Sequence, residues 1–269
     1  MSELGGWSRD ELARLASVVV GDEGEPGFYA VAGSHIYGFA ADDSDVDLRG
    51  FHVADAARYL LLDQPAEQLS ADPERAATST AAADVDVVSY ELRTFATHLA
   101  RANFTTLELV FDGLVVADEQ PADLDALRSL VEERLPLDVP SQYVGMARHQ
   151  YERSVAASTV SERPSAKEYL YGVRGLLAAH YVAEERTIES DVRVLSDAVL
   201  GDTGVVDTLV AAKRGERELD GDVASDAERL MGELLETAPV DEDDSRVDKA
   251  DYRAALDEWM LGVRGVEWG

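Results

Sequence analysis

The sequence predicts a mixed α/β (α+β) N-terminal domain with a small sheet, followed by an all-helical C-terminal domain, and three observations lead there. Short apolar runs bounded by turn residues fall within the first ninety positions. After Tyr90 nearly every segment carries apolar residues at helical spacing. The change of character has a joint at "LPLDVP", near residue 137.

Taken in order, Ser8 and Glu11 form a capping box ahead of Leu12, Leu15, Ala16 and Val19, an apolar stripe that makes the first helix. "DEGEPG" breaks it. "GFYAVAGS" then reads as a buried strand entering a glycine turn, with "VDLRGFHV" and "DVDVVSY" as second and third strands. The Pro-, Ala-, Ser- and Thr-containing stretch 63–84 is long enough to be an insertion or a lid. Helical periodicity follows over 92–102, 122–135, 141–158, 166–184, 205–214, 223–236 and 248–262. The organisation expected is therefore 1–137 and 138–269, with an acidic linker at about 237–247 before a last helix that contains Trp259.

Composition bounds the function. The 269 residues are 46% hydrophobic, ample for a core. No basic leader and no apolar run of roughly 18 residues is present, so a cytoplasmic location without a membrane partner is expected. With no cysteine and five scattered histidines, any metal should be a hard ion held by carboxylates. The net charge of −30 would repel phosphate ligands in dilute buffer. Yet the cations are 21 Arg against 3 Lys, and the acids are spread along the chain, a composition that resembles halophilic archaeal proteins. In molar salt the Debye length falls to about 3 Å, so net charge no longer excludes anionic ligands.

One stretch carries chemistry: "YAVAGSHIYGFAADDSDVDLRGFHV". Strand alternation points Asp45 and Asp47 the same way, about 7 Å apart along the backbone, so both can face divalent ions. The D-x-D pattern itself is uninformative, because it recurs at Asp123/Asp125, Asp220/Asp222 and Asp241/Asp243, where a solvated acidic face explains it. Context separates the first pair. Gly33-Ser34 precedes it, and glycine together with N–H groups at a helix start suits close approach to phosphate oxygens. Arg49 could pair with Asp45 or Asp47, or brace its strand, and bracing is expected because its side chain is placed on the opposite face.

The run "GSHIYGFAADDSDVDLRG" resembles the signature of the DNA polymerase β-like nucleotidyltransferase superfamily, and more closely its RNA-ligase-associated, RNA-repair-pathway branch. That branch runs from G-S-x-x-Y-G through S-D-x-D-x-R-G to D-x-x-x-x-x-L-R-x-F and N-P-x-x-x-E. Here Gly33 to Gly38, Ser44 to Gly50 and Asp86 to Phe95 match; "ANFTTLEL" keeps Asn103 and Glu108 but has Phe104 where proline is usual. Asp86 is preferred over Asp84 as the third carboxylate for its spacing to "LRTF". The helix "AKEYLYGVRGLLAAHYV" is similar to the family's K-x-x-x-Y-x-x-R segment, through Lys167, Tyr171 and Arg174.

The resemblance implies an enzyme that transfers a nucleoside monophosphate from an NTP to a hydroxyl and releases pyrophosphate. Asp45, Asp47 and Asp86 would be its catalytic and metal-binding residues for Mg²⁺ or Mn²⁺. Gly33 and Ser34 would grip the phosphates, as would Lys167, Tyr171 and Arg174 if they are more than a surface stripe. The acceptor stays open between an RNA end, a protein side chain, as in antitoxin-like AMP transfer, and a small molecule. A non-catalytic nucleotide-binding regulatory module is the competing class. A third reading makes the helical half a partner surface anchored by Trp259 and Trp268. His35 and Tyr37 are expected to bond or pack, His98, His149 and His180 to be structural, and Arg93 and Arg101 either to line a cleft or to make helix-surface salt bridges. The NTP and the oligomeric state are not legible.

Overall fold

In the structure, a computed structural model, residues 4–70, 84–118, 124–155, 164–239 and 249–266 are described. The first helix, α1 (Arg9–Val20), starts as expected: the Ser8 side chain accepts from the Glu11 N–H while the Glu11 carboxylate accepts from the Ser8 N–H. Two such bonds satisfy donors that a helix start otherwise leaves open. Among the described residues five strands follow in a mixed sheet: β1 (Glu25–Ala32), β2 (Val46–Val53), β3 (Gln68–Ser70), β4 (Val85–Glu91) and β5 (Leu114–Asp118). Their order is β3-β4-β2-β1-β5. β2 and β4 pair in parallel; the other pairs are antiparallel.

Alternation gives this sheet two unlike faces. On one, Leu12, Leu15, Ala16 and Val20 of α1 pack over Tyr29, Val31, Val46, Leu48, Val85 and Val87. On the other, aromatic residues cover one end. Phe51 stacks with Phe95 of α2 (Leu92–Ala100) at 4.9 Å between ring centroids and meets Trp259 edge-on at 5.8 Å. The other end of that face carries Asp47, Arg49 and Asp86.

Two of the five strands lie outside the sequence expectation. β3 sits inside the stretch 63–84 read as an insertion or lid, and residues 71–83 of that stretch fall outside the described residues. β5 follows α3 (Phe104–Asp112) so closely that "TLELVFDGLVVAD" offers one apolar run with only Gly113 to divide it. The later helices are α4 (Leu124–Glu133), α5 (Val139–Gln150), α6 (Ala166–Glu185), α7 (Val192–Leu200), α8 (Gly204–Lys213), α9 (Gly221–Glu236) and α10 (Lys249–Val263). Among the described residues no helix is long and apolar enough to cross a membrane.

The chain forms two compact units. The sheet unit comprises Met1–Ile36, Asp42–Arg134 and Val247–Gly269; the helical unit comprises Tyr37–Ala41 and Leu135–Arg246. A single boundary at residue 137 misses three crossings: out and back at Tyr37–Ala41, and the return at Val247. The last helix rejoins the sheet unit because its apolar face has partners there: Trp259 packs on Phe51 and Phe95, and the buried Tyr252 donates its hydroxyl to the Leu99 carbonyl. Trp259 is thus a packing anchor of the sheet unit rather than of the helical half. Trp268 lies outside the described residues, as do positions 240–247 of the acidic linker.

Arg264, just past α10, fixes this return. Its Nη2 lies 2.6 Å from Glu91 Oε1 and its Nη1 donates to the Ala54 carbonyl at 2.6 Å; Glu91 is 2% exposed. The other Glu91 oxygen caps α2 by accepting from the Arg93 N–H. Removing the guanidinium would strand a buried carboxylate, so Arg264→Met should lower unfolding stability by about 3 kcal/mol, with part recovered in the double variant carrying Glu91→Gln. Urea titration in KCl reads this directly.

Beside it His52 is fully buried, with Nδ1 2.8 Å from Ser89 Oγ, which also contacts the Tyr29 hydroxyl. Burial holds His52 below its ordinary value of 6.5, an effect that the nearby Glu91 and Glu23 only partly offset, with Arg58 and Arg264 acting in the same direction as burial. His98 is held down too, by burial and then by Arg101. The unfolded chain therefore takes up these protons more readily. The contribution to stability is complete above pH 6.5 and is lost as pH falls through the folded values. The thermal midpoint should drop between pH 7 and pH 5, and less steeply in the His52→Gln/His98→Gln double variant.

Candidate active site

The sheet positions the stretch from Gly33 to Gly50. β1 ends where Ala32 pairs with Asp47, and in the parallel ladder Asp47 pairs with Asp86. Paired residues share a face, so these two carboxylates stand side by side on neighbouring strands. Asp84 precedes β4 and accepts from the Val46 N–H through its carbonyl at 2.8 Å, so Asp86, not Asp84, is opposite Asp47. Asp45 lies just before β2 and is exposed.

Gly33 takes the step out of β1 with φ +67°, in the left-handed region. A Cβ added there would collide with the Asp47 carboxylate. Glycine is therefore required twice over, for its backbone conformation and for the close approach. Gly33–His35 forms a 3₁₀ turn closed by the Ile36 N–H on the Gly33 carbonyl, with Ser34 buried. The glycine-serine turn and one carboxylate of the D-x-D strand are thus in direct contact. His35 packs in this turn, and its Nε2 is buried without a hydrogen-bond partner among the described residues.

Arg49 corrects one expectation. It lies two residues beyond Asp47 and so shares its face, rather than pointing away from it. Its Nη2 sits 2.9 Å from Asp47 Oδ1 and 2.6 Å from Asp86 Oδ2. Its Nη1 donates to the Asp86 carbonyl at 2.6 Å and to the Leu48 carbonyl at 3.2 Å. The Arg49 side chain is 18% exposed, those of Asp47 and Asp86 35% and 60%. Among the described residues no three acidic or histidine side chains converge as a ready-made metal cage. Two carboxylates converge on one cationic nitrogen instead.

The other expected residues belong to the helical unit. Ser165 and Glu168 cap the start of α6, which carries Lys167, Tyr171 and Arg174. Lys167 is exposed, whereas Arg174 is 1% exposed, its guanidinium carbon 3.7 Å from the centre of the Tyr37 ring. Tyr171 meets Tyr37 and Phe39 edge-on at 5.8 and 5.6 Å. Tyr171 and Arg174 thus hold the segment Tyr37–Ala41, the link between the glycine-serine turn and the D-x-D strand.

Sequence reading passed over other residues that hold this link. Arg193 Nη1 donates to the Gly38 carbonyl at 2.9 Å, and Arg214 Nε donates to the Ala40 carbonyl at 3.1 Å. Gly38, at φ +79°, faces the Asp191 carboxylate where a Cβ would clash. Only Gly38 signalled any of this in the sequence, since Asp191, Arg193 and Arg214 are about 150 to 175 residues away along the chain. Phe104 also finds an explanation. It occupies the first position of α3, which suits proline but does not need it, because the Asn103 side chain accepts from the Thr106 N–H at 3.1 Å and starts the helix. His98 meets Tyr90 edge-on and His180 Nε2 contacts the Leu234 carbonyl, both packing roles.

Gly33→Ala tests the contact between turn and carboxylate. It should cost about 1–3 kcal/mol of stability, from the left-handed backbone and the displaced Asp47, which thermal melts measure.

A family model described as the RNA repair pathway DNA polymerase beta family (RlaP) matches residues 18–262. A Bacillus subtilis (strain 168) relative, "Uncharacterized protein YcgL", is 26% identical over 271 aligned residues, covering 96% of each chain. The family match spans both units, from inside α1 to the end of α10, and the chain therefore belongs to the RNA repair pathway DNA polymerase beta family.

Proposed function

We propose that this protein is a nucleotidyltransferase that moves a nucleoside monophosphate from an NTP to a hydroxyl, with an RNA end as the favoured acceptor. Family membership supports the reaction class, and the family's description supports the acceptor. Asp45, Asp47 and Asp86 are assigned as the carboxylates that hold Mg²⁺ or Mn²⁺. The observation that carries the assignment is the single Arg49 nitrogen shared by Asp47 and Asp86: hard oxygen donors on two strands already gather round one positive charge. Asp45, exposed at the entry to β2, is the ligand that must turn in.

A divalent cation bound there would supply charge neutralisation for the triphosphate and a lower pKa for the acceptor hydroxyl. The protein's own groups do the rest. Asp86, the most exposed of the three ion-paired side chains, accepts the proton of the attacking hydroxyl. The oxygen–phosphorus bond forms at the α-phosphorus as the bond to pyrophosphate breaks, and that electron pair leaves with pyrophosphate. Gly33 and Ser34 offer the backbone N–H groups and the hydroxyl that hold the β- and γ-phosphates. In the helical unit, Tyr171 and Arg174 act by holding Tyr37–Ala41 in place.

The test is transfer from each α-labelled NTP, in multimolar KCl with Mg²⁺ or Mn²⁺, to RNA ends, to tRNA and to protein in a lysate. Asp47→Asn and Asp86→Asn should each lower transfer by roughly 100-fold or more. Label on protein alone would move the acceptor to a side chain. No transfer above the Asp47→Asn level with any NTP or acceptor would refute the enzyme.

A further inference from the structure

Directly paired like charges repel, and in this sheet Asp47 and Asp86 are directly paired. What makes the arrangement tolerable is a third residue on the same face. Arg49 places one nitrogen between the two carboxylates and anchors its other nitrogen on the Asp86 and Leu48 carbonyls. The two halves of the guanidinium have separate tasks. Nη1 is tied to two backbone carbonyls, whereas Nη2 meets one oxygen of each carboxylate.

We propose that Arg49 is a built-in counter-cation: it holds Asp47 and Asp86 together before any metal arrives, and a divalent ion enters by displacing Nη2 while Nη1 keeps the guanidinium at the site. The inference rests on the assignment of Asp47 and Asp86 as metal ligands. Arg49 is a positioning residue in this scheme, and its effect on metal affinity has a sign opposite to that of a ligand. Taking it away removes the competitor and leaves two carboxylates that repel each other until an ion binds. A lysine cannot replace it, since one ammonium on a flexible stem lacks the planar fork that spans backbone and carboxylates at once.

Mn²⁺ alone is the probe, titrated in KCl and read by the spin-resonance signal of the free ion, with thermal melts in parallel. Arg49→Gln should bind Mn²⁺ about tenfold more tightly than the wild type, the effect of removing roughly one well-placed ion pair. Its metal-free form should melt lower, and its Mn²⁺-induced rise in midpoint should be larger. Arg49→Lys should fall between the two. Binding that is unchanged or weaker in both Arg49 variants, with loss in Asp47→Asn, would overturn the counter-cation and leave the metal site standing. Equal binding by wild type and Asp47→Asn would overturn the site itself, and this inference with it.

Discussion

The in-register parallel pairing of β2 with β4 is the constraint on which the site depends. It sets Asp47 beside Asp86 and so imposes a like-charge contact that the rest of the sheet must offset. Antiparallel neighbours can be joined by a tight hairpin, but a parallel pair needs a crossover connection. The chain supplies it between Val53 and Val85, a stretch that also adds β3 along the far side of β4. Because the ladder runs in step from Val46 opposite Val85 to His52 opposite Glu91, the carboxylate pair and the apolar pairs are fixed together. A one-residue slip would bury Asp47 under α1 and expose Leu48.

That ladder also explains why charge and core coexist on a single face. Along β2 the alternate residues Asp47, Arg49 and Phe51 pass from carboxylate through guanidinium to an aromatic ring under Phe95 and Trp259. Arg49 marks the border. Its guanidinium meets the Asp47 and Asp86 carboxylates on the same face. On the opposite face the second polar group, Tyr29, Ser89 and His52, is buried and joined through the Ser89 hydroxyl.

Local signals were legible in the sequence and distant ones were not. The capping box at Ser8, the strand around Asp47 and most of the helices follow from period and punctuation within a dozen residues. β5 escaped because its apolar run continues that of the preceding helix, and α7 because "VRVLSDAVL" follows a charged, turn-rich stretch. The pairing of Asp86 with Asp47 was reachable only through a family pattern, since 39 positions separate them and no spacing rule spans a crossover. Arg49 was misassigned for a different reason: parity alone puts it beside Asp47. The clamp of Arg174, Arg193 and Arg214 on Tyr37–Ala41 is long-range throughout.

The path of the chain between its two units has a consequence for how the molecule is made. The backbone leaves the sheet unit after Ile36, returns at Asp42, leaves again after Arg134 and returns once more at Val247. No single cut in the polypeptide separates the units, so neither can be lifted out as one continuous piece. Synthesis from the N-terminus delivers all five strands early, but the rings of Phe51 and Phe95 wait for Trp259, and Glu91 waits for Arg264. The sheet that carries Asp47 and Asp86 therefore completes its core only after the whole helical unit has emerged from the ribosome.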